Sequence, residues 1–129
     1  MTVVESRRPA GELEQEVLGS LAAADAPLTP RQVRARLHRD LAYTTVTTIL
    51  SRLHAKGVVS RRLAGRGFVY ELPIPLDDVP ASIQAHRMRQ ILDSGDDRVG
   101  VLARFVTDLT PEDEEVLLRL LSENERDGS

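Results

Sequence analysis

Between Thr44 and Gly57, apolar residues recur at the spacing of an amphipathic α-helix, and this pattern constrains the fold more than any other feature of the sequence. The apolar positions, at i, i+3, i+4 and i+7, are Val46, Ile49, Leu50 and Leu53. At about 100° per residue they share one face, which predicts that this face is buried. Glycine often follows the last residue of a helix, so the helix is predicted to stop at Gly57.

Two further helices are predicted upstream of this one. Residues 12–24 carry apolar residues at helical spacing, and a second helix begins with a clear start signal. Thr29 is a favourable N-cap, Pro30 fits the first helical position, where its missing N–H is not needed, and Gln32 completes a capping box. A short turn joins the second and third helices, as in a helix-turn-helix.

A β-hairpin is predicted to follow the third helix. Two short stretches with strand character, residues 58–63 and 68–72, flank a glycine-containing tip at residues 64–67. Apolar and aromatic residues alternate along the second stretch, as expected of a strand with one buried face. Three helices and a two-stranded wing predict a mainly α fold of the winged helix-turn-helix type.

The composition changes after the hairpin, which predicts a domain boundary. Three prolines and two aspartates interrupt the pattern within the next eight residues. Further helices are predicted at about 82–94, 99–108 and 112–124, the last of them after a threonine and a proline that resemble the start of the second helix. The expected parts of the chain are a winged-helix DNA-binding domain at 1–72, a linker at 73–81 and a short helical dimerisation segment at 82–129.

The segment at 82–129 is predicted to pair with a second copy of the chain. It has few aromatic residues and is too small to form a good core of its own, yet its last helix carries a leucine-rich stripe. The alternative is that this stripe packs back on the first domain. The predicted dimerisation residues are Leu102, Phe105, Val106, Val116, Leu117, Leu120 and Leu121.

Charge is distributed unevenly along the chain. The formal net charge is -3, yet residues 31–66 contain nine basic side chains and a single acidic one, Asp40. A concentration of basic residues in one part of a chain is typical of a module that binds a polyanion such as a nucleic acid. Considered alone, the same charges are equally consistent with an ordinary solvated surface.

Composition excludes several other classes of protein. With 41% hydrophobic and 29% charged residues the chain is typical of soluble globular proteins, and no apolar run approaches the roughly 18 residues of a membrane span. The first residues lack the apolar core of a signal peptide, so we expect a cytoplasmic protein with no direct membrane association. Zero cysteines exclude disulfides and thiolate metal sites.

The face of the third helix opposite its apolar positions carries threonines. Small polar side chains let a helix backbone approach the edges of base pairs, and threonine offers both a hydroxyl and a methyl group. We therefore predict that this helix enters the major groove of double-stranded DNA, with Arg52 reaching a guanine or a phosphate. The predicted DNA-binding residues are Arg31, Tyr43, Thr44, Thr45, Thr47, Thr48, Arg52, Lys56, Arg61, Arg62 and Arg66.

Nothing in the sequence predicts catalysis, a metal or a cofactor. Residues 38–41 spell the His-Arg-Asp-Leu of a kinase catalytic loop, but Thr45 stands where the required asparagine would be, and the chain is too short for a kinase. The histidines, His38, His54 and His86, have no partner at i+4 and no cysteine nearby. The chain is therefore predicted not to be an enzyme.

The stretch from Leu41 to Arg62 resembles the penicillinase-repressor family of bacterial winged-helix regulators. The helix of that family has the pattern T-T-V-x-T-x-L-x-R-L-x-x-K-G followed by two apolar residues, and residues 44–59 here are TTVTTILSRLHAKGVV. The resemblance is strong over residues 11–72 and weaker beyond them.

The resemblance implies a repressor, related to antibiotic-resistance regulators, that binds a dyad-symmetric operator as a homodimer through its C-terminal helices. It also implies that the threonines and Arg52 face the DNA, and that a membrane sensor protease is a partner that releases the repressor. The cleavage in that family falls between Asn and Phe, whereas Arg104 precedes Phe105 here. Release by a ligand or another signal therefore stays open.

The alternative interpretation is a winged helix that serves as a protein-protein interaction module without DNA binding. Such a module is expected to expose an apolar helix face rather than one of threonine and arginine. Retardation of genomic DNA fragments at two salt concentrations distinguishes the two interpretations, because binding to phosphates weakens as salt rises.

Overall fold

The computed structural model describes residues 10–37 and 39–128, which form helices and a two-stranded antiparallel sheet. The elements are α1 (Ala10–Ala23), α2 (Pro30–Arg36), α3 (Tyr43–Ala55), β1 (Ser60–Ala64), β2 (Gly67–Glu71), α4 (Val79–Ser94), α5 (Arg98–Thr107) and α6 (Pro111–Gly128). A short 3-10 helix, Leu76–Asp78, precedes α4. The predicted fold class, mainly α with a two-stranded wing after the third helix, is confirmed.

Side-chain caps fix the starts of several helices as the sequence indicates. At α2 the N–H of Gln32 donates to the Thr29 hydroxyl at 3.2 Å, and the N–H of Thr29 donates to the Gln32 side-chain oxygen at 2.8 Å. The predicted capping box is therefore present. At α6 the N–H of Asp113 donates to the Thr110 hydroxyl at 3.1 Å. These bonds satisfy backbone donors that have no partner within the helix, so they hold each helix to a defined first residue.

One hydrophobic core joins α1, α2, α3 and the wing. The four apolar positions that recur in α3 are all buried in it, as the periodicity predicts. The buried residues of this core are Val17, Leu18, Leu21, Leu28, Val33, Leu37, Val46, Ile49, Leu50, Leu53, Val58, Val59, Tyr70 and Val79. Because α3 packs with a single face, its other side is left available at the surface.

The wing is attached to the core through β2. Tyr70 is buried, and the backbone of Leu28 exchanges two hydrogen bonds of 2.8 Å with it. The turn between the strands contains Gly65 at φ 69°, which glycine adopts without steric cost. The first strand begins at Ser60, two residues later than predicted. Val58 and Val59 instead form the connection between α3 and this strand, and both are buried.

The chain divides into two compact units, residues 1–88 and 89–129. This division lies later than the linker expected at residues 73–81. Val79 is only 3% exposed in the core of the first unit, and Ile74 and Ile83 pack against that core. Pro80 lies in the first turn of α4, where proline does not interrupt a helix. The prolines therefore mark the start of a helix.

The second unit contains α5, α6 and the end of α4. The N–H of Gly100 donates to the Asp97 carboxylate at 3.0 Å, which caps α5. No residue of α5 or of α6 is buried, although both helices carry several large apolar side chains. The predicted dimerisation residues are exposed by at least 43%, except Leu117, which is half-buried.

Candidate nucleic-acid interface

The surface of α3 is divided between a buried face and a polar face. Thr44, Thr48 and Arg52 are exposed, together with Ser51 and Ala55. Thr45, Thr47 and Lys56, which are also in the predicted DNA-binding set, are half-buried. The exposed residues are short apart from Arg52, so the backbone of α3 can come close to a ligand surface.

The hydroxyls of this face differ in what they can offer. The Thr47 hydroxyl donates to the carbonyl oxygen of Thr44 at 3.0 Å, within the same helix. Its proton is therefore already used, while its methyl group and the two lone pairs of its oxygen stay available. At the start of α3 the N-cap is Ala42, which has no side-chain acceptor to offer the first amides. These amides suit a negatively charged group, because the helix dipole is positive there.

A basic cleft of about 670 Å³ lies between α2 and the start of α3. It brings together the predicted residues Arg31 and Tyr43 with Arg34 and Arg39, which were not in the predicted set. The spacing of Arg31 and Arg34 is i, i+3 on α2, a pattern that indicates a shared helix face and could have identified Arg34. Arg39 also forms an ion pair with Glu16 at 3.2 Å, a long-range contact that no sequence pattern indicates.

A second cleft, of about 270 Å³, lies between α1 and the polar face of α3. Its lining residues are Leu13, Glu14, Thr44, Thr45, Thr48, Ile49 and Arg52. Beside it, the Lys56 ammonium donates to both carboxylate oxygens of Glu14, at 2.9 and 3.0 Å. Lys56, a predicted DNA-binding residue, is therefore held by α1 and ties α3 to it.

The arginines of the wing occupy a third region. The Arg61 guanidinium lies 4.2 Å from the centre of the Phe68 ring, within the distance of a cation–π interaction. Arg61 and Arg62 line a cleft of about 220 Å³ with Pro27 and other residues of the sheet, separate from the two clefts at α3. Arg66 is exposed in the turn at the tip of the hairpin.

His54 lies at the half-buried edge of α3. Burial lowers its pKa below the ordinary value of 6.5, and the positive charge of Arg61 lowers it further. Within residues 10–37 and 39–128 no group of three or more metal-binding side chains occurs, and His38 lies outside the described residues. In the same part of the chain, no helix has the length and apolar character required to cross a bilayer.

The helix-turn-helix, the wing and the polar face of α3 together define a winged-helix regulator that binds DNA. The model of the penicillinase repressor family matches residues 10–123 of the chain. The chain belongs to that family, whose members are transcriptional repressors. This membership confirms the predicted resemblance and agrees with the prediction that the chain is not an enzyme.

The relatives include the transcriptional regulator BlaI of Mycobacterium tuberculosis. It is 36% identical over 117 residues, which cover 89% of this chain and 84% of that protein. Solved structures are more distant: YusO from Bacillus subtilis is 19% identical, with a TM-score of 0.46 over 94% of this chain and 76% of that one. MepR of Staphylococcus aureus, a regulator of a multidrug efflux pump, is 20% identical, with a TM-score of 0.43 over 90% of this chain and 78% of that one.

Proposed function

We propose that the chain represses transcription as a homodimer that binds a dyad-symmetric DNA operator, with α3 in the major groove. The observation that carries the proposal is the division of α3 into a buried face and a short, polar, exposed one. A helix that enters the major groove needs such a face, because long side chains would hold its backbone away from the bases. A protein-interaction module would favour an apolar face at the same place.

Base reading is assigned to the exposed side chains of α3. Thr44 and Thr48 are one helical turn apart, so their hydroxyls and methyl groups can meet neighbouring base pairs. Thr47 contributes its methyl group, which suits the methyl group of thymine, because its hydroxyl proton is already bonded. Arg52 has the geometry to donate to both O6 and N7 of a guanine.

Phosphate binding is assigned to the basic cleft and to the wing. Arg31, Arg34 and Tyr43 surround the cleft at the start of α3, where the helix dipole also favours an anion. In the wing, Arg62 and Arg66 are exposed and extend the positive surface. Lys56 is assigned instead to holding α1 against α3, since its ammonium is bonded to a carboxylate.

A homodimer is proposed because the second unit leaves its apolar side chains uncovered in a single chain. Seven residues predicted for the interface lie on α5 and α6, where nothing is buried. Covering such a surface by a second copy removes apolar area from water and places two α3 helices on one DNA molecule. The linkage raises affinity for two half-sites well beyond that for one.

The route of release is proposed to be a signal other than cleavage near Phe105. Although the family resemblance implies a membrane sensor protease as a partner, the Arg104–Phe105 bond lies within α5, and helical backbone resists proteases unless it opens locally. Mass spectrometry of the repressor from cells that express its target genes tests this point: we expect an intact chain, whereas a cut in α5 would favour the protease. The proposed compartment is the bacterial cytoplasm, where the operator lies.

The test of function uses full-length protein and a duplex that it enriches from a random-sequence library. Arg52→Ala is expected to weaken binding to this duplex by about 1–3 kcal/mol, measured by fluorescence anisotropy, and to lower the preference over a scrambled duplex. Arg36→Ala is the matched control, because it removes the same charge from α2 in a different cleft. We expect its preference for the enriched duplex to be unchanged.

Salt dependence tests the phosphate contacts separately. Each contact contributes roughly 0.9 to the slope of the logarithm of the binding constant against the logarithm of salt concentration. Several contacts per subunit predict a steep slope, and a slope below about 2 would contradict the assignment. An equal loss on enriched and scrambled duplexes for Arg52→Ala would make Arg52 a phosphate contact. Failure of the wild-type chain to enrich any duplex would contradict the proposed function itself.

A further inference from the structure

Arg39 lies in the turn between α2 and α3, where it contributes to the basic cleft. The N–H of Leu41 donates to the carbonyl oxygen of Arg39 at 3.0 Å, so the backbone at this position is held in a tight turn. The Arg39 side chain is only 25% exposed, whereas Arg31 and Arg34, which line the same cleft, are exposed. Arg39 therefore has less conformational freedom to lose than the other two arginines when a ligand binds.

A carboxylate of α1 restrains the Arg39 side chain. Nε of Arg39 lies 3.2 Å from Oε1 of Glu16, and the two groups form an ion pair. Glu16 itself lines a separate cleft of about 380 Å³ between α1 and α2. The lining of the basic cleft consists of arginines, an alanine and a tyrosine. The Arg39 side chain thus connects a carboxylate in one cleft with the positive lining of the other.

The pairing through Nε matters because of the shape of a guanidinium group. An arginine carries five N–H donors, one on Nε and four on the two terminal nitrogens. A contact at Nε leaves the terminal nitrogens, whose donors can bind the oxygens of a phosphate. An arginine can therefore contact a carboxylate and a phosphate at the same time. A lysine has one compact ammonium group and is less suited to this double role.

We propose that Arg39 binds a phosphate of the DNA operator, and that Glu16 is a positioning residue that holds the Arg39 guanidinium in place at the basic cleft. The inference rests on the proposed function, since it requires that the chain binds DNA through this cleft. Glu16 is assigned no contact with DNA, and its effect passes through Arg39. Because phosphate contacts carry no sequence information, Arg39 contributes equally to the binding of every duplex.

Two opposing effects determine whether a carboxylate beside a phosphate-binding arginine favours binding. The negative charge of Glu16 repels DNA, but solvent and salt screening limit this repulsion to about twofold in affinity. Restraining a long side chain before DNA binds avoids an ordering cost of roughly two- to tenfold in affinity. Positioning therefore outweighs repulsion. Removal of Glu16 should weaken DNA binding, although it removes a negative charge.

The first experiment compares full-length variants by fluorescence anisotropy, on a duplex enriched by the wild type and on a scrambled duplex. Arg39→Ala is expected to lower affinity by roughly five- to tenfold at 0.1 M salt, equally on both duplexes, and to lower the salt slope by about 0.9. Glu16→Ala is expected to lower affinity by about threefold. Glu16→Gln keeps an oxygen beside Nε of Arg39 without the negative charge, so it should bind at least as tightly as the wild type.

The removal of Glu16 has opposite expected effects in two backgrounds. In the wild type, Glu16→Ala weakens binding because Arg39 loses its restraint. In Arg39→Ala there is no side chain to position, so the same change should strengthen binding slightly by removing a negative charge. Asp25→Ala is the control, because it removes an exposed carboxylate just after α1 and should not weaken binding. Tighter binding of Glu16→Ala in both backgrounds would overturn the inference.

The second experiment separates positioning from a purely structural ion pair. Arg39→Lys keeps a positive charge for Glu16 but lacks the second set of donors. We expect its urea midpoint to stay close to that of the wild type, and its affinity for both duplexes to fall nearly as far as that of Arg39→Ala. Wild-type affinity in either Arg39 variant would overturn the inference. A loss of affinity that follows the loss of stability across all variants would do the same.

The failure of this inference differs from the failure of the proposed function. If the wild type enriches no duplex, the proposed DNA-binding repressor fails before the role of Arg39 is reached. If the wild type enriches a duplex and Arg39→Ala binds it equally well, only the role of Arg39 and Glu16 fails.

Discussion

The two units of this chain use similar apolar residues with opposite results. In the first unit α3 directs its apolar positions into a core shared with α1, α2 and the wing. In the second unit α6 has an equally clear apolar stripe, yet none of its residues is buried. The difference lies in the neighbours that each helix has. An amphipathic pattern predicts which face of a helix will be buried. Whether a single chain can bury that face depends on the other elements that pack beside the helix.

This difference suggests how the tasks are divided. A unit with its own core can keep the polar face of α3 in a fixed orientation, as DNA reading requires. In the dimer proposed above, the second unit would gain stability from association, so its folding would depend on protein concentration. Assembly and operator binding are then coupled through mass action.

The largest expected effect comes from placing charges on the uncovered stripe. Leu117→Glu with Leu120→Glu is expected to convert the dimer into monomer, because burying two carboxylates in an apolar interface costs several kcal/mol. Sedimentation velocity measures the outcome. Arg119→Gln with Ser122→Glu changes net charge equally on the other side of α6 and should leave the dimer intact. An unchanged dimer in the first variant would place the interface elsewhere.

The next effect concerns where the self-sufficient unit ends. A fragment of residues 1–88 is expected to fold as a monomer, and one of residues 1–75 to be less stable by about 2 kcal/mol, since it lacks the buried Val79 and the partly buried Ile83. Urea denaturation followed by circular dichroism measures the difference. A fragment of residues 1–94 serves as control and should match 1–88. Equal stability of all three fragments would mean that α4 contributes nothing to the first unit.

The contrast between the units also explains what the sequence could predict. The fold of the first unit follows from local signals, such as the capping box at Thr29 and the spacing of apolar positions in α3. The same spacing also predicts the exposed face of α3, because that face consists of the positions that are not apolar. The start of α4 was missed because prolines suggest a linker, whereas Val79 shows its role only by packing against residues distant in sequence.

Contacts between distant residues account for the rest of the difference. The bond between Glu14 and Lys56 joins positions 42 residues apart, so no periodicity reveals it. The same holds for the contact between His86 and Gly57. The sequence indicates that a helix ends at Gly57, but it does not show that the ring of His86 occupies the space that a side chain at this position would need. Arg34 is different, because its spacing from Arg31 was present in the sequence and indicates a shared face.

A smaller effect tests whether Lys56 serves the core of the first unit rather than DNA. In a double-mutant cycle with Glu14→Gln and Lys56→Met, the coupling energy is expected to be about 0.2–1 kcal/mol. The lower part of this range is expected, because the lysine side chain is 40% exposed and solvent screens the pair.

Measuring DNA binding by the Lys56→Met variant separates a structural role of Lys56 from a role in DNA binding. Lys56→Met should leave the salt dependence of binding unchanged, since its ammonium is assigned to Glu14. A salt slope lower by about 0.9 would instead show that Lys56 contacts a phosphate. Arg31→Ala, in the basic cleft, is the comparison variant and is expected to lower the slope.

The smallest effect is the pH dependence contributed by His54 at the edge of the first unit. Burial and the charge of Arg61 lower its pKa in the folded chain, so the unfolded chain binds a proton at a higher pH. The contribution of His54 to stability is therefore complete above pH 6.5 and is lost as pH falls through its folded pKa. The free energy of unfolding should fall more on acidification in the wild type than in His54→Gln, as measured by urea denaturation at a series of pH values. Parallel curves would show that neither burial nor the charge of Arg61 lowers the pKa of His54 in the folded chain.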